Sequence, residues 1–300
     1  MTRRATTERT MTNQAPLLGI IGGSGLYRMD GLVDAQSVEI DTPFGRPSDA
    51  YVVGHIDGQR VAFLPRHGAG HRIAPGEINF RANIHGFRQL GATAVVSISA
   101  VGSLREEIAP GHVVVPDQFI DRTRGRVSTF FGDGCVAHVG FADPFCAPLS
   151  SLVAACVREA GAVVHEGGTY LCMEGPMFST RAESRLYRSW GANVIGMTNL
   201  QEAKLAREAE LCFATIALAT DYDCWRTEDA AVAVSDILAV LEANADLARR
   251  AVALVATRVA GMARGCDCGR ALEHAVITAP DAIPAATRRK LALLMARLKN

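Results

Sequence analysis

Three hundred residues suffice for one large domain with a well-shielded core. With 49% hydrophobic and 21% charged residues, the chain is globular in composition and not intrinsically disordered over most of its length. Lys plus Arg equals Asp plus Glu at 31 each, so no broad basic face for nucleic acid is expected; a small anion site needs only one or two local positive groups. No apolar run approaches the roughly 18 residues of a membrane-spanning helix.

Residues 1–16, MTRRATTERTMTNQAP, are polar and Thr-rich, and lack the apolar stretch of a secretory signal. They read as a disordered N-terminal extension before one domain covering 17–300, and a cytoplasmic location is expected. Leu17 to Ile21 is a first strand ending in Gly22-Gly23-Ser24-Gly25. Tyr51 to Val53 and Val61 to Leu64 flank Asp57-Gly58, the signal of a tight hairpin. A helix is predicted from Ala82 to Leu90, a buried strand from Ala94 to Ser99, and a short strand at Val113 to Val115. Next come a helix over Ser150 to Ala160, a strand over Thr169 to Met173, and a helix over Thr180 to Trp190. A short strand at Asn193 to Gly196, a helix over Leu200 to Glu210 and a buried strand over Leu211 to Ala219 follow. Beyond Thr227 only helix signals remain, over Val232 to Met262 and Ala285 to Leu298. Continuous apolar strands alternating with helices predict a single α/β domain whose sheet is covered on both faces, with a helical C-terminal region.

Eight cysteines without a signal peptide point to a reducing compartment and mostly buried thiols. Six are scattered. Cys266-Asp267-Cys268 is the exception, and three readings stay open: a plain surface turn, a redox-active or disulfide-forming pair, or a metal site. One intervening residue is too few for the usual zinc spacing, and no second pair or nearby His completes a site in the sequence.

In a sheet of this kind ligands bind beyond the carboxyl ends of the strands. The first strand ends in Gly22-Gly23-Ser24-Gly25, which fails the dinucleotide fingerprint because Arg28 stands where Gly or Ala is needed. Its N–H groups and one hydroxyl suit a small anion. Pro65-Arg66-His67-Gly68-Ala69-Gly70-His71 puts an Arg fork and a His donor after the Val61 to Leu64 strand, suited to an oxyanion. A metal pair at His67 and His71 would need a helix, against which Pro65, Gly68 and Gly70 argue. A third small-residue turn, Ala100-Val101-Gly102-Ser103, follows Ser99. After the Leu211 to Ala219 strand, Asp221 and Asp223 would share a side if the segment stays extended. Desolvation there raises at least one carboxyl pKa, giving a proton donor to a heteroatom or a reader of an amino group and ring nitrogen. A turn with a helix cap is the competing reading. The residues alone thus point to an α/β enzyme that binds an oxyanion and acts on a small polar molecule.

Several longer stretches carry more. Ile20-Ile21-Gly22-Gly23-Ser24-Gly25-Leu26, Asp41-Thr42-Pro43-Phe44-Gly45, Pro65-Arg66-His67-Gly68, Gly102 to Glu107, Asp117 to Thr123, Glu174-Gly175-Pro176, Gly196-Met197-Thr198 and Thr220 to Trp225 resemble the purine nucleoside phosphorylase family, in its methylthioadenosine-cleaving branch. The motifs run in family order from about residue 17 to 240. The resemblance implies a central mixed β-sheet flanked by helices, and phosphorolysis of 5′-methylthioadenosine to adenine and 5-methylthioribose 1-phosphate, with no metal or organic cofactor. The alternative is a phosphorylase of 6-oxopurine nucleosides or methylthioinosine. The resemblance further implies that Ser24, Arg66, His67, Ser99, Ala100 and Thr198 hold phosphate. Phe178 would stack on the base and Met197 lie against the ribose, while Asp221 and Asp223 would act at N7 and the 6-amino group. Ser179 and Val234 match positions tied to substrate preference. Ile237, with His138 from a neighbouring subunit, would form the methylthio pocket of a homotrimer. Some prokaryotic members carry a pair like Cys266 and Cys268 that is linked to disulfides.

Overall fold

The computed structural model describes residues 3–4, 16–23, 31–226, 234–262 and 265–298, with 3–4 and 234–243 described by backbone alone. In chain order the strands are β1 (Arg3–Arg4), β2 (Leu17–Gly22), β3 (Val33–Glu39), β4 (Tyr51–Ile56), β5 (Gln59–Pro65), β6 (Ala92–Ser103), β7 (Val113–Val115), β8 (Gln118–Arg122), β9 (Val164–Glu166), β10 (Thr169–Met173), β11 (Val194–Gly196) and β12 (Cys212–Asp221). The helices are α1 (Phe80–Gln89), α2 (Ala147–Glu159), α3 (Arg181–Ser189), α4 (Asn199–Glu208), α5 (Val234–Val259) and α6 (Ala285–Lys290).

The strands form one mixed sheet, ordered β1-β3-β4-β5-β2-β6-β11-β10-β8, with β12 pairing β6 and β7, and β7 pairing β9. Its centre is parallel: β2 lies between β5 and β6, and β12 joins the other side of β6. These four are buried almost throughout, as strands covered on both faces must be. Alternation within β2 shows the two layers. Leu18 and Ile20 pack with Val153 and Val157 of α2 and Val252 and Val255 of α5. Leu17 and Ile21 pack instead with Ile84 and Phe87 of α1 and Ala203 and Leu205 of α4.

The β4–β5 hairpin turns at Asp57-Gly58, with φ values of 45° and 78°, the left-handed pair a two-residue hairpin requires. β3 went unrecognised in the sequence because Val33–Glu39 is exposed nearly throughout and has no apolar alternation. The C-terminal helix predicted over Ala285 to Leu298 is corrected: α6 ends at Lys290, and a short 3-10 turn spans Ala296–Leu298. Hydrogen bonds there alternate between four-residue reach (Leu291 N–H to Thr287 O) and three-residue reach (Leu298 N–H to Met295 O). This irregular path buries Leu272, Ile283, Leu291 and Leu294 in the α1–α4 layer. No helix among the described residues is long and apolar enough to cross a membrane.

Candidate active site at the strand ends

Parallel register brings the anion-friendly stretches together, although Ala100 to Ser103, expected as a turn, continues β6 because β12 and β11 pair with it. Gly22 pairs with Pro65, Ile21 with Ser97, and Ser99 with Ala217, so the ends of β2, β5, β6 and β12 open on one side. β11 runs antiparallel to β6, with Ile195 opposite Gly102, so the chain continues through Met197 and Thr198 back toward Ala100. Arg66, His67, Ser99, Ala100, Met197, Thr198 and Asp221 thus reach one strand-end region from five elements. Ala100 is exposed there while the rest of β6 is largely buried. Thr198 is 5% exposed and stands at the N-cap of α4, without a side-chain capping bond. The positive end of that ten-residue helix therefore faces the region. Ser24 lies outside the described residues, as do the side chains of Val234 and Ile237 on α5.

Arg66, expected from the resemblance to hold phosphate, is 3% exposed, and the partners of its guanidinium named below are groups within the protein, so it works as an internal clamp behind the strand ends. Nε donates to Glu202 Oε1 at 2.5 Å and Nη2 to Glu202 Oε2 at 3.1 Å. Nη1 donates to Ile98 O at 3.0 Å and Nη2 to Ser97 Oγ at 2.7 Å, tying the β5 end to β6, while a longer bond reaches Ile21 O in β2. Ser97 Oγ donates to Glu202 Oε2 and accepts from Asn199 Nδ2, whose Oδ1 takes the Thr215 hydroxyl. Every member of this network is buried, so it is rigid and fully committed. Glu202 was missed in the sequence because it lies 136 residues from Arg66. The available signal was polar Ser97 and Thr215 inside otherwise apolar strands.

His67 Nδ1 lies 2.8 Å from Ile73 O and donates to it, so the neutral ring presents Nε2 as an acceptor and not as the donor expected, able to meet a phosphate through its P–OH group. Burial, with the Arg66 charge adding, lowers its pKa to about 4. The unfolded chain takes up that proton at the ordinary value near 6.5. Folding stability therefore falls as pH drops from 6.5 toward 4, and the contribution is absent above 6.5. His67→Gln is expected to flatten this part of the slope, measured by urea unfolding at several pH values. An unchanged slope would assign it to other groups.

The Asp pair is brought together differently from the extended geometry expected. Asp223 has φ 53° in a turn, and its N–H donates to Asp221 Oδ1 at 2.7 Å. Thr220 Oγ1 donates to Asp221 Oδ2 at 2.6 Å. Asp223 Oδ2 is buried with no hydrogen-bond partner among the described residues. Burial pushes both carboxyls up, and the Asp221 charge raises Asp223 further. Gly102 makes room for the pair: a Cβ there would sit 3.1 Å from Asp221 Oδ1 and 3.3 Å from Asp223 Cβ.

Phe178 is 53% exposed and Met177 77%, on the loop between β10 and α3. Thr180 and Glu183 form a capping box at α3 that fixes the chain just after Ser179. The Cys224 thiol donates to Ser179 O at 3.1 Å, joining this loop to the Asp221–Trp225 turn. Gly175, at φ 68°, leaves space only for Met197, since a Cβ would meet its Sδ at 2.5 Å. Arg126, unnoticed in the sequence, pairs with Glu174 at 3.1 Å and donates to the carbonyls of Glu174 and Met197. It holds the loop against the β11 end. His138 is exposed on a different segment, and its N–H donates to Ala275 O.

Known proteins of similar sequence and fold identify the family. The family model described as the phosphorylase superfamily matches residues 17–259. The S-methyl-5′-thioadenosine phosphorylase of Geobacter sulfurreducens is 57% identical over 280 residues, covering 93% of this chain and 98% of the relative. That of Koribacter versatilis is 59% identical over 282 residues, covering 93% and 96%. A crystal structure of a methylthioadenosine phosphorylase from an antarctic soil metagenomic library superposes with a TM-score of 0.90 at 47% identity, covering 94% of this chain and 99% of that one. The Schistosoma mansoni methylthioadenosine phosphorylase in complex with adenine gives 0.78 at 31%, covering 94% and 98%. A sheet of this topology, with its strand-end turns and this degree of identity along nearly the whole chain, belongs to the phosphorylase superfamily and, within it, to the S-methyl-5′-thioadenosine phosphorylases.

Proposed function

We propose that the strand-end region cleaves the N-glycosidic bond of 5′-methylthioadenosine with inorganic phosphate, giving adenine and 5-methylthioribose 1-phosphate. The observation that carries this reading is the Asp221–Asp223 turn, with its unpartnered buried Oδ2, beside Gly102 of β6 and on the same side of the sheet as the ends of β2 and β5. Bond cleavage builds positive charge on the ribose and negative charge on the departing purine. Phosphate beside Ser24, His67, Ser99, Ala100, Thr198 and the α4 N-terminus stabilises the first and attacks the anomeric carbon, with Arg66 holding the strand ends in place. Asp223, its acid form favoured by burial, donates to purine N7, and Asp221 accepts from the 6-amino group. A 6-oxo purine would leave the Asp221 carboxylate facing another acceptor, which disfavours inosine-type substrates. In this reading the chemistry uses no metal or organic cofactor.

Met197 lies against the ribose and Phe178 stacks on the base; the exposure of Phe178 supports a surface that a ligand covers. Phe178→Ala is expected to raise the nucleoside KM by about 5- to 150-fold, from a base–aromatic stack on the order of 1–3 kcal/mol, with the phosphate KM little changed. A nucleoside KM within twofold of the parent would remove Phe178 from the base site. Ser179, Val234 and Ile237 tune the substrate, and His138 completes the methylthio pocket of a neighbouring copy in a cytoplasmic homotrimer.

The test is product formation from methylthioadenosine, adenosine, methylthioinosine and inosine, each with and without phosphate. Phosphate-dependent adenine release, fastest with methylthioadenosine, is expected. Preference for the inosine substrates would overturn the base reading, and no turnover of any of the four would overturn the reaction.

A further inference from the structure

Cys266-Asp267-Cys268 is neither an isolated pair nor a plain surface turn. The fold brings Cys146 and Cys212 to it, and the four sulfurs lie within 4.8 Å of one another, with Cys212 Sγ 3.6 Å from Cys266 Sγ. We infer that these four thiolates form a tetrahedral Zn²⁺ site with a structural role, separate from the strand-end region.

The spacing carries the argument. Four sulfurs about 2.3 Å from one zinc ion are separated by about 3.8 Å along the tetrahedron edges, close to the arrangement present. The same donor set, all sulfur and all soft, selects zinc over magnesium or calcium. Three of the four are buried, and Cys266 is half-buried; Cys212 and Cys266 line an open cleft with Glu210, Asp267, Arg270 and Arg297, which gives an ion a way in. The four sulfurs are delivered by three separate features. Cys146 is the N-cap of α2. Cys212 is the first residue of β12, and Cys266 and Cys268 bracket a turn that runs into a 3-10 segment. Binding replaces four S–H protons by one Zn²⁺ and releases four protons to solvent, with no change of oxidation state.

The consequence is local. Cys266 and Cys268 open the 265–298 segment, which adds no strand to the sheet, and the ion would pin its start to β12 and α2. Further along, this segment carries the backbone partners of residues 136–138: Ile277 N–H donates to Val136 O, and Ala275 O accepts from His138 N–H.

The experiment is zinc quantification by mass spectrometry on the full chain purified under a phosphine reductant, alongside Co²⁺ titration of the zinc-stripped chain. One zinc per chain, and intense visible bands of a tetrahedral thiolate–Co²⁺ complex, are expected. The Cys266→Ser/Cys268→Ser double variant should lose both signals and melt at lower temperature, whereas Cys156→Ala, outside the cluster, should keep them. Should the double variant fail to fold, the stoichiometry and cobalt spectrum of the unaltered chain decide. Four free thiols that take up neither ion, or intact disulfides among these cysteines in the unreduced chain, would overturn the assignment. Neither readout depends on turnover, so the result stands apart from the proposed reaction.

Discussion

Glu202→Ala is expected to destabilise the protein by about 3–5 kcal/mol, because it leaves the Arg66 guanidinium buried without its countercharge. Both partners are almost completely buried, and the pair is bidentate, so neither group can turn to water instead. Arg66→Ala strands the carboxylate in the same way, so its effect on phosphate use is mixed with a loss of stability. The double variant Arg66→Met/Glu202→Leu separates the two. Replacing both charges with apolar side chains of similar length removes the desolvation penalty and should restore most of the stability. It should not restore a normal phosphate KM, since the clamp between Ile21, Ile98 and the β5 end is gone. Urea unfolding at fixed protein concentration, with the phosphate KM of each variant, reads both. A Glu202→Ala cost below about 1 kcal/mol would mean that water or a rearranged Arg66 replaces the pair.

The contrast between what the sequence shows of this region and what it hides has a physical cause. Signals at strand ends are local: Gly22-Gly23 and Arg66-His67 announce themselves by composition, and the parallel register of β2 and β5 then brings them side by side, whereas Ala100-Val101-Gly102 reads as a turn by its small residues but continues β6 because β12 and β11 pair with it. Partnerships across the fold leave no local mark. Glu202 reads as one more charge on a helix, and Arg126 as an ordinary loop cation, until α4 and β11 dock. Cys146 and Cys212 look like isolated buried thiols until α2 and β12 meet the Cys266 turn. The Asp pair shows the opposite failure. Its residues were legible, but the extended geometry was not the one adopted, because Asp221 accepts the Asp223 N–H and folds the segment into a turn. The C-terminal helix failed for a related reason: apolar spacing at Leu291 and Leu294 is satisfied as well by irregular turns docked on the α1–α4 layer as by a continuous helix.

Asp223→Asn is expected to lower kcat/KM for methylthioadenosine by about 10²- to 10⁴-fold, the range of a positioned general acid, with little change in the phosphate KM. An amide has nearly the shape of the carboxyl but cannot act as an acid, whereas burial raises the Asp223 carboxyl toward that role. Because N7 is common to both bases and Asp221 reads the 6-amino group, the ratio between methylthioadenosine and methylthioinosine should change little. The pH profile adds an independent reading. A carboxyl whose pKa is raised supplies the acid form below that pKa and loses it above, so kcat of the unaltered chain should decline on the alkaline side with a break above the ordinary carboxylate range. The Asn variant should lack that break. Asp221→Asn tests the partner. Its two oxygens already accept from Thr220 Oγ1 and the Asp223 N–H, so an amide nitrogen would face a donor and loosen the turn, costing stability as well as rate. Parallel losses toward both nucleosides, accompanied by an equal rise in the phosphate KM, would make the pair a structural turn and remove it from the chemistry.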